Sequence, residues 1–529
     1  MFDFSSFNLV KGSKDFFIGI RKSKVGDNFE FCLPNGFENF PEDDFNAVRD
    51  LFFKMYRTFR KFERDNLDSN RFNINQPDFQ REQDQTTISS GGVKIQTEEG
   101  DICVLYSKIK MIERVLEAYD DLAINSIQKK VRRSEDIDYS QLHKYLDRAI
   151  YLKDDLNINN DVIYVEMMDL PCLTIRYQST DIVNLYCYIL DEIVEQLNGD
   201  VPDNIKARSQ EIHFLAQGFK EDYLTSNQSI FDQDTFEETI NVLKESLDNI
   251  DKNTYYKDTD YWGIYEAIET FLYGDLNPEK GDGEFWGIYG FSLIWEDMCH
   301  SYFFKKHRNE ICYADTDIPL KDYDNPQREE EDKHRVGNRK ANGGSARWNQ
   351  WVYCTNSNIS KSSGKVAEKF QWDELFCIEF DLNDGTLVYQ QPKYNKFEKR
   401  NRSQALRRFI RPDLIIESNT KKIDNNVIEG NFIKIIDYKD VPLKFYKNKK
   451  LAPKSANKYH LDIIKQLTYE YALQQTHEVS ASEFFIPYYY NVEPSNPLGE
   501  LEQKLNLNGI VIFRANFSLI QNIYLEDNL

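Results

Sequence analysis

The sequence predicts a multidomain α+β protein, and three observations carry that expectation. A chain of 529 residues has room for two to four domains, each with a core of its own. Its composition, 40% hydrophobic and 29% charged, is that of a globular chain. Apolar spacing also changes along the chain: strand-like alternation and helical stripes both occur towards the two ends, and helical spacing dominates the middle. We expect an N-terminal α+β domain over 1–130 and a mainly helical region over 131–280. A C-terminal α/β core, a mixed sheet flanked by helices, then covers 281–529.

In chain order, 16–21 and 29–33 read as strands joined by a turn at Gly26-Asp27-Asn28. A helix follows from Pro41-Glu42-Asp43-Asp44 to about Arg64, with acids in its first turn and bases in its last. Leu51, Phe52, Met55, Phe59 and Phe62 form its apolar stripe. Lys54, Arg57, Lys61 and Arg64 form a basic one, read first as a solvated face and second as a surface for DNA or an acidic partner. After a polar stretch over 66–90, a hairpin at 93–96 and 102–106 leads into a helix over 108–121. The middle region has helical spacing over 139–154, 180–197 and 234–248. The run Asn277-Pro278-Glu279-Lys280-Gly281-Asp282-Gly283 marks a boundary. Beyond it come a helix over 290–305, a polar and basic insertion over 325–348, a strand over 372–382 and a last buried strand over 509–514.

The chemistry gathers between 411 and 439. Arg411-Pro412-Asp413-Leu414-Ile415-Ile416 enters as a strand, because Pro412 keeps the residue before it out of the helical region. A polar turn over 418–426 leads to a second strand, Ile433-Lys434-Ile435-Ile436-Asp437-Tyr438-Lys439. Side chains alternate along a strand, so Asp437 and Lys439 share one face while Ile436 and Tyr438 take the other. Two carboxylates on neighbouring strands suit Mg²⁺, a hard cation that takes oxygen ligands and keeps several waters. A lysine two residues on can position a water or offset charge beside the ion. With 88 acids and 66 bases, an acid-x-base triplet arises by chance about eleven times, so the triplet alone says little. The weight lies in the order strand, turn, strand, followed by a helix over 462–473 on which Gln466 and Tyr469 share a face.

This constellation resembles the PD-(D/E)xK nuclease superfamily, and within it the LlaJI-type restriction endonucleases and, more distantly, the McrC nuclease subunit of modification-dependent restriction systems. The residues that carry the resemblance are Leu293-Ile294-Trp295-Glu296-Asp297-Met298-Cys299, Arg411-Pro412-Asp413-Leu414, Asp437-Tyr438-Lys439, and Lys465-Gln466 with Tyr469. The resemblance implies a restriction-endonuclease-like core with Asp413 and Asp437 as metal ligands, Tyr438 counted beside them, and Lys439 as the catalytic lysine. Glu296 would be an accessory acid, and Gln466 would orient the site. The cofactor would be Mg²⁺, with Mn²⁺ as a substitute. Related nucleases often carry a tyrosine four residues after the glutamine; that position is Glu470 here, which leaves the parts of Tyr469 and Tyr471 open.

The net charge of −22 argues at first against DNA, but local distribution matters more than the sum. Over 393–411 eight bases meet one acid, and Lys396, Lys399, Arg400, Arg402, Arg407, Arg408 and Arg411 are the candidate contacts to the phosphate backbone. Lys444, Lys447, Lys449, Lys450, Lys454 and Lys458 follow the site on its other side.

Eight scattered cysteines contain no C-x-x-C pair, which argues against a zinc site or a disulfide framework and for reduced thiols in the cytoplasm. The first residues lack a signal-peptide pattern and no run of about 18 apolar residues occurs, so no membrane association is expected. There is no phosphate-binding G-x-x-x-x-G-K-[ST] loop, so any nucleotide-driven motor belongs to another chain. The seven histidines show no zinc spacing; His300 and His307 are assigned packing or surface roles.

The resulting expectation is a Mg²⁺-dependent endonuclease subunit of a restriction system for anti-phage defence, cutting double-stranded DNA. The resemblance implies that its N-terminal half docks partly on a McrB-like AAA+ GTPase. A self-contained type II restriction enzyme and a catalytically silent DNA-binding scaffold are the alternatives.

Overall fold

The structure is a computed structural model that describes residue 4 and residues 7–12, 16–23, 29–66, 93–96, 102–128, 132–137, 150–152, 162–164, 171–174, 178–225, 227–254, 257–274, 284–316, 318, 335–336, 351–354, 356–360, 369–371, 378–381, 387–389, 407–409, 412–423, 426–447, 453–474, 477–502 and 509–526. It is a mixed α+β protein with twelve α-helices and two large mixed sheets among the described residues. Contacts divide the chain into two compact units, one of residues 111–275 and one of residues 2–110 with 276–529.

The grouping of the first 110 residues with the C-terminal half differs from the division expected from sequence order, and strand pairing is the reason. In a six-stranded sheet, Glu284–Tyr289 lies between Phe17–Lys22 and Ile102–Tyr106, antiparallel to both. Gly19 and Gly287 face each other there at φ +130° and +138°; a Cβ on Gly19 would stand 2.1 Å from the Trp286 carbonyl oxygen, so only glycine admits this approach. The helix Phe45–Asn66 covers the sheet. Asp44 caps it by accepting from the Ala47 N–H at 3.1 Å, and Val48, Leu51, Phe52, Met55, Phe59 and Phe62 are buried at helical spacing. Trp286, fully buried, sends its ring against Phe52 and Phe59 at 5.2 and 5.0 Å between centroids.

The second sheet of this unit has eight strands in the order Arg335–Val336, Trp351–Cys354, Ile311–Thr316, Leu414–Ile423, Asn426–Tyr438, Val479–Tyr488, Ile510–Asn516, Gly499–Leu501. It turns from antiparallel to parallel at Asn426–Tyr438, which pairs antiparallel with Leu414–Ile423 and parallel with Val479–Tyr488. Both faces of its centre are covered, as near-continuous apolar strands require. On one face Trp295 and Phe303, from the helix Ser292–Lys306, pack on Phe485. On the other, Ile463 and Leu467, from the helix Pro453–Gln474, pack with Phe484, Ile486, Ile510 and Ile512. The N-terminal segment is fastened to the same sheet: Asn35 donates to Asp440 Oδ1 at 2.8 Å, and Tyr489 N–H donates to the Gly36 carbonyl at 3.0 Å.

The other unit is built around the helix Gln178–Gln196, whose Ile182, Val183, Leu185, Tyr186, Ile189, Leu190 and Ile193 are all buried. Ser209–Tyr223, Phe236–Asn253 and Thr259–Tyr273 pack around it. This matches the helical spacing read over 180–197 and 234–248. The helix expected over 139–154 is a correction: 150–152 is strand, antiparallel to Val162–Tyr164, and 138–149 lies outside the described residues. The Ile-Tyr-Leu and Val-Ile-Tyr triplets are β-branched and aromatic, and cross-strand pairing outweighs a helical spacing read over so short a window.

Candidate active site

Strand register brings Asp413 and Asp437 together. Leu414 pairs with Ile436, so the residue before the one and the residue after the other meet at the end of the ladder. Asp413 is held at three points. Its Oδ2 accepts from the Tyr438 N–H at 2.6 Å, and its carbonyl accepts from the Asp315 N–H at 3.0 Å and from His300 Nε2 at 3.1 Å. A carbonyl oxygen only accepts, so this bond fixes the proton on Nε2 of the buried His300.

Alternation sorts the next three side chains. Asp437 pairs with Phe484 and projects with it towards the helix Pro453–Gln474. Tyr438 pairs with Phe485 and projects the other way, its ring against His300 and Phe303. Lys439 returns to the Asp437 side, with Nζ 2.5 Å from Asp437 Oδ2 and over the Phe484 ring. Lys439 also reaches Asp462 Oδ1 on that helix at 3.6 Å, and Tyr446 Oη donates to Asp462 Oδ2 at 3.0 Å.

The electrostatics follow from burial and crowding. Burial first, then the neighbouring charge of Asp437, pushes the Asp413 carboxyl well above its usual range. Burial acts the same way on Asp437, but Lys439 and Lys465 outweigh it and hold that carboxyl at about 2. Burial works against the charge of Lys439, and Asp437 overcomes it, so the amine titrates above its ordinary value and stays protonated near neutral pH. Two facing acids of which one resists ionisation are relieved by a shared proton or by a cation. Asp437 is completely buried; the Lys439 ammonium stands against its Oδ2, and the protonated Asp413 carboxyl donates to it.

The carboxylate pair therefore fits a divalent cation by its chemistry. Among the described residues no group of three or more His, Cys, Asp or Glu side chains is arranged to hold a metal; Asp413 and Asp437 are the side chains that would hold the cation, and Mg²⁺ usually keeps several waters.

The residues expected in the site are placed as follows. Asp413, Asp437 and Lys439 converge. Tyr438 contributes its backbone N–H to Asp413, while its ring lies on the opposite face of the sheet. Glu296 is half-buried on the helix Ser292–Lys306; burial pushes the Cys299 thiol and the Tyr438 phenol up, and the charge of Glu296 adds to both. Gln466 is buried with Nε2 donating to Ser482 Oγ at 2.8 Å, so its amide is bound to the neighbouring strand. Lys396, Lys399, Arg400, Arg402 and Arg411 lie outside the described residues, and Arg407 and Arg408 are described only as backbone of the strand Arg407–Phe409.

The sequence reading did not single out Asp462, named Lys465 without a role of its own, and gave His300 only a packing or surface role. The first two had a readable signal: Asp462, Lys465, Gln466 and Tyr469 follow the i, i+3, i+4, i+7 spacing of one helix face. His300 had none, because its partner is a backbone carbonyl. No family model, curated protein or solved structure matches this chain.

Proposed function

We propose that this chain is a Mg²⁺-dependent DNA endonuclease subunit of a restriction system, hydrolysing phosphodiester bonds in double-stranded DNA. The observation that supports this reading best is the convergence of Asp413, Asp437 and Lys439 at the ends of two paired strands, with Asp437 and Lys439 2.5 Å apart. Asp413 and Asp437 would hold the cation, which when bound activates a water and offsets charge on the phosphate. Lys439 is protonated near neutral pH, so its part is to orient the attacking water and stabilise the charge of the transition state, not to remove a proton. Asp462 holds the ammonium from the far side, and His300 and the Tyr438 N–H fix Asp413 in register.

The basic run over 393–411, with Lys396, Lys399, Arg400, Arg402, Arg407, Arg408 and Arg411, leads into Asp413 and is the proposed contact to the duplex backbone. An AAA+ GTPase of the McrB type is the proposed partner, on the resemblance of the motifs, and the system would act in the cytoplasm. No helix among the described residues is long and apolar enough to cross a membrane.

The test is cleavage of plasmid and phage DNA by the purified chain in Mg²⁺, alone and with any P-loop GTPase that copurifies. Asp437→Ala should stop cutting while DNA binding persists. Equal cutting by wild type and Asp437→Ala would remove this reading. Cutting without nucleotide would favour the self-contained enzyme over the motor-driven one.

A further inference from the structure

The strand Asn426–Tyr438 ends one residue before Lys439, and its ladder with Leu414–Ile423 ends earlier still, at Ile436. Lys439 is therefore aimed by whatever holds the chain just past the strand. Its side chain is long and flexible, yet the ammonium lies 2.5 Å from Asp437 and 3.6 Å from Asp462, so a backbone shift at this point is carried to the site. The backbone there is held from two sides. The Lys439 N–H donates to the Phe485 carbonyl at 3.0 Å. At the next residue Asn35 donates through Nδ2 to Asp440 Oδ1 at 2.8 Å and to the Asp440 carbonyl at 3.3 Å, which fixes side chain and main chain together.

Asn35 is itself firmly seated, 7% exposed, in a turn pressed against the sheet. Gly36 follows at φ +84°, where a Cβ would stand 2.0 Å from the Pro487 carbonyl oxygen, so only glycine lets the turn lie this close. The Gly36 carbonyl accepts from the Tyr489 N–H at 3.0 Å, and the buried Phe37 ring packs on Phe517 and Tyr489 at 4.9 and 5.2 Å between centroids. Those contacts already fasten the segment. A buried amide on a carboxylate adds little net stability to such a joint, because both groups give up water to meet, so its place beside Lys439 calls for another reason.

We propose that Asn35 is a positioning residue of the active site, acting through Asp440 to set where the Lys439 ammonium stands. The N-terminal segment thereby completes a site whose other residues come from the C-terminal half. What Lys439 does once placed rests on the nuclease reading given above; the placement itself does not.

The experiment uses the 529-residue chain and two readouts. One is acetylation of Lys439 by acetic anhydride, followed by mass spectrometry with Lys305 as the internal reference, and the other is DNA cleavage in Mg²⁺. Asn35→Ala should raise Lys439 labelling severalfold over Lys305 and lower kcat by about 10–100-fold, with KM for DNA within about twofold of wild type. Asn35→Asp alone should do the same, and Asn35→Asp combined with Asp440→Asn, which exchanges donor and acceptor, should recover both readouts. Phe37→Leu, which loosens the same segment without touching Asp440, should lower Tm and leave Lys439 labelling and kcat unchanged. Should Asn35→Ala fail to fold, Asn35→Ser is read in its place. Wild-type labelling and kcat in the Asn35 variants, or equal effects from Phe37→Leu, would overturn the inference and leave the nuclease reading standing. If wild type does not cut, or Asp437→Ala cuts as well as wild type, the nuclease reading fails, and Lys439 labelling alone decides the placement.

Discussion

Lys439 Nζ stands 2.5 Å from Asp437 Oδ2 at the end of a sheet strand, the aspartate wholly buried and the lysine nearly so. An ion pair in that position is a costly way to build a core, because two charges leave water, and replacement by apolar side chains is often neutral or stabilising. Lys439→Ala should therefore do two things. Loss of the ammonium should reduce DNA cleavage on the order of 10²-fold or more. The uncompensated Asp437 should also cost about 3 kcal/mol of stability in urea unfolding. Cleavage at the wild-type rate would remove Lys439 from the chemistry.

Stability of the metal-free protein should depend on pH in two opposite ways. Folded Asp413 binds its proton more tightly than the unfolded chain does, so the native state holds more protons from pH 3.8 upward and stability falls as pH rises through the raised pKa. Asp437 is held at about 2, so its contribution is present above pH 3.8 and is lost as pH falls towards 2. In EDTA the Tm should drop as pH rises on the alkaline side of 3.8, and Asp413→Asn should flatten that limb. Mg²⁺ should flatten it in wild type as well, since the cation takes the place of the proton. A Tm in EDTA that rises with pH over that limb would contradict the environment described for Asp413.

His300 acts on the site through the Asp413 carbonyl, 3.1 Å from Nε2. Groups that hold a ligand in place affect metal affinity by about 10–100-fold when lost. His300→Ala should raise the Mg²⁺ concentration for half-maximal cleavage by about tenfold, and His300→Asn, which keeps a donor, should recover part of it. An unchanged Mg²⁺ requirement would return His300 to a packing role.

Trp286 joins the N-terminal strands to the helix Phe45–Asn66 from a strand that belongs, in sequence, to the C-terminal half. Trp286→Ala should cost about 3–5 kcal/mol in urea unfolding. A loss below about 1 kcal/mol would mean that this sheet is not assembled across the two segments as described.

The parts of this fold legible in the sequence are those governed by local period. The two strands between Asp413 and Lys439 follow from Pro412 and from alternation, and the facing of Asp437 and Lys439 follows from a period of two; the turn expected over 418–426 is a correction, because 418–423 continues the first strand and pairs with 426–432 of the second. The stripe of the helix Phe45–Asn66 is legible for the same reason, while the acids read as its first turn precede it, with Asp44 as its cap.

What escaped depends on phase between distant elements. The spacing puts Gln466 on one helix face with Asp462, yet only packing on Val479–Tyr488 decides that the Gln466 amide is taken by Ser482 of that strand. The pairing of Glu284–Tyr289 with Phe17–Lys22 spans more than half the chain, and no spacing encodes it.

The proposed chemistry depends on Asp413 and Asp437 jointly holding a divalent cation, and direct titration of Mn²⁺ into the 529-residue chain, followed by electron spin resonance of the free ion, tests this most plainly. It should show one site per chain that Mg²⁺ displaces and that Asp437→Ala abolishes. A wild-type chain that binds no ion, or an Asp437→Ala chain that binds it equally well, would contradict the account.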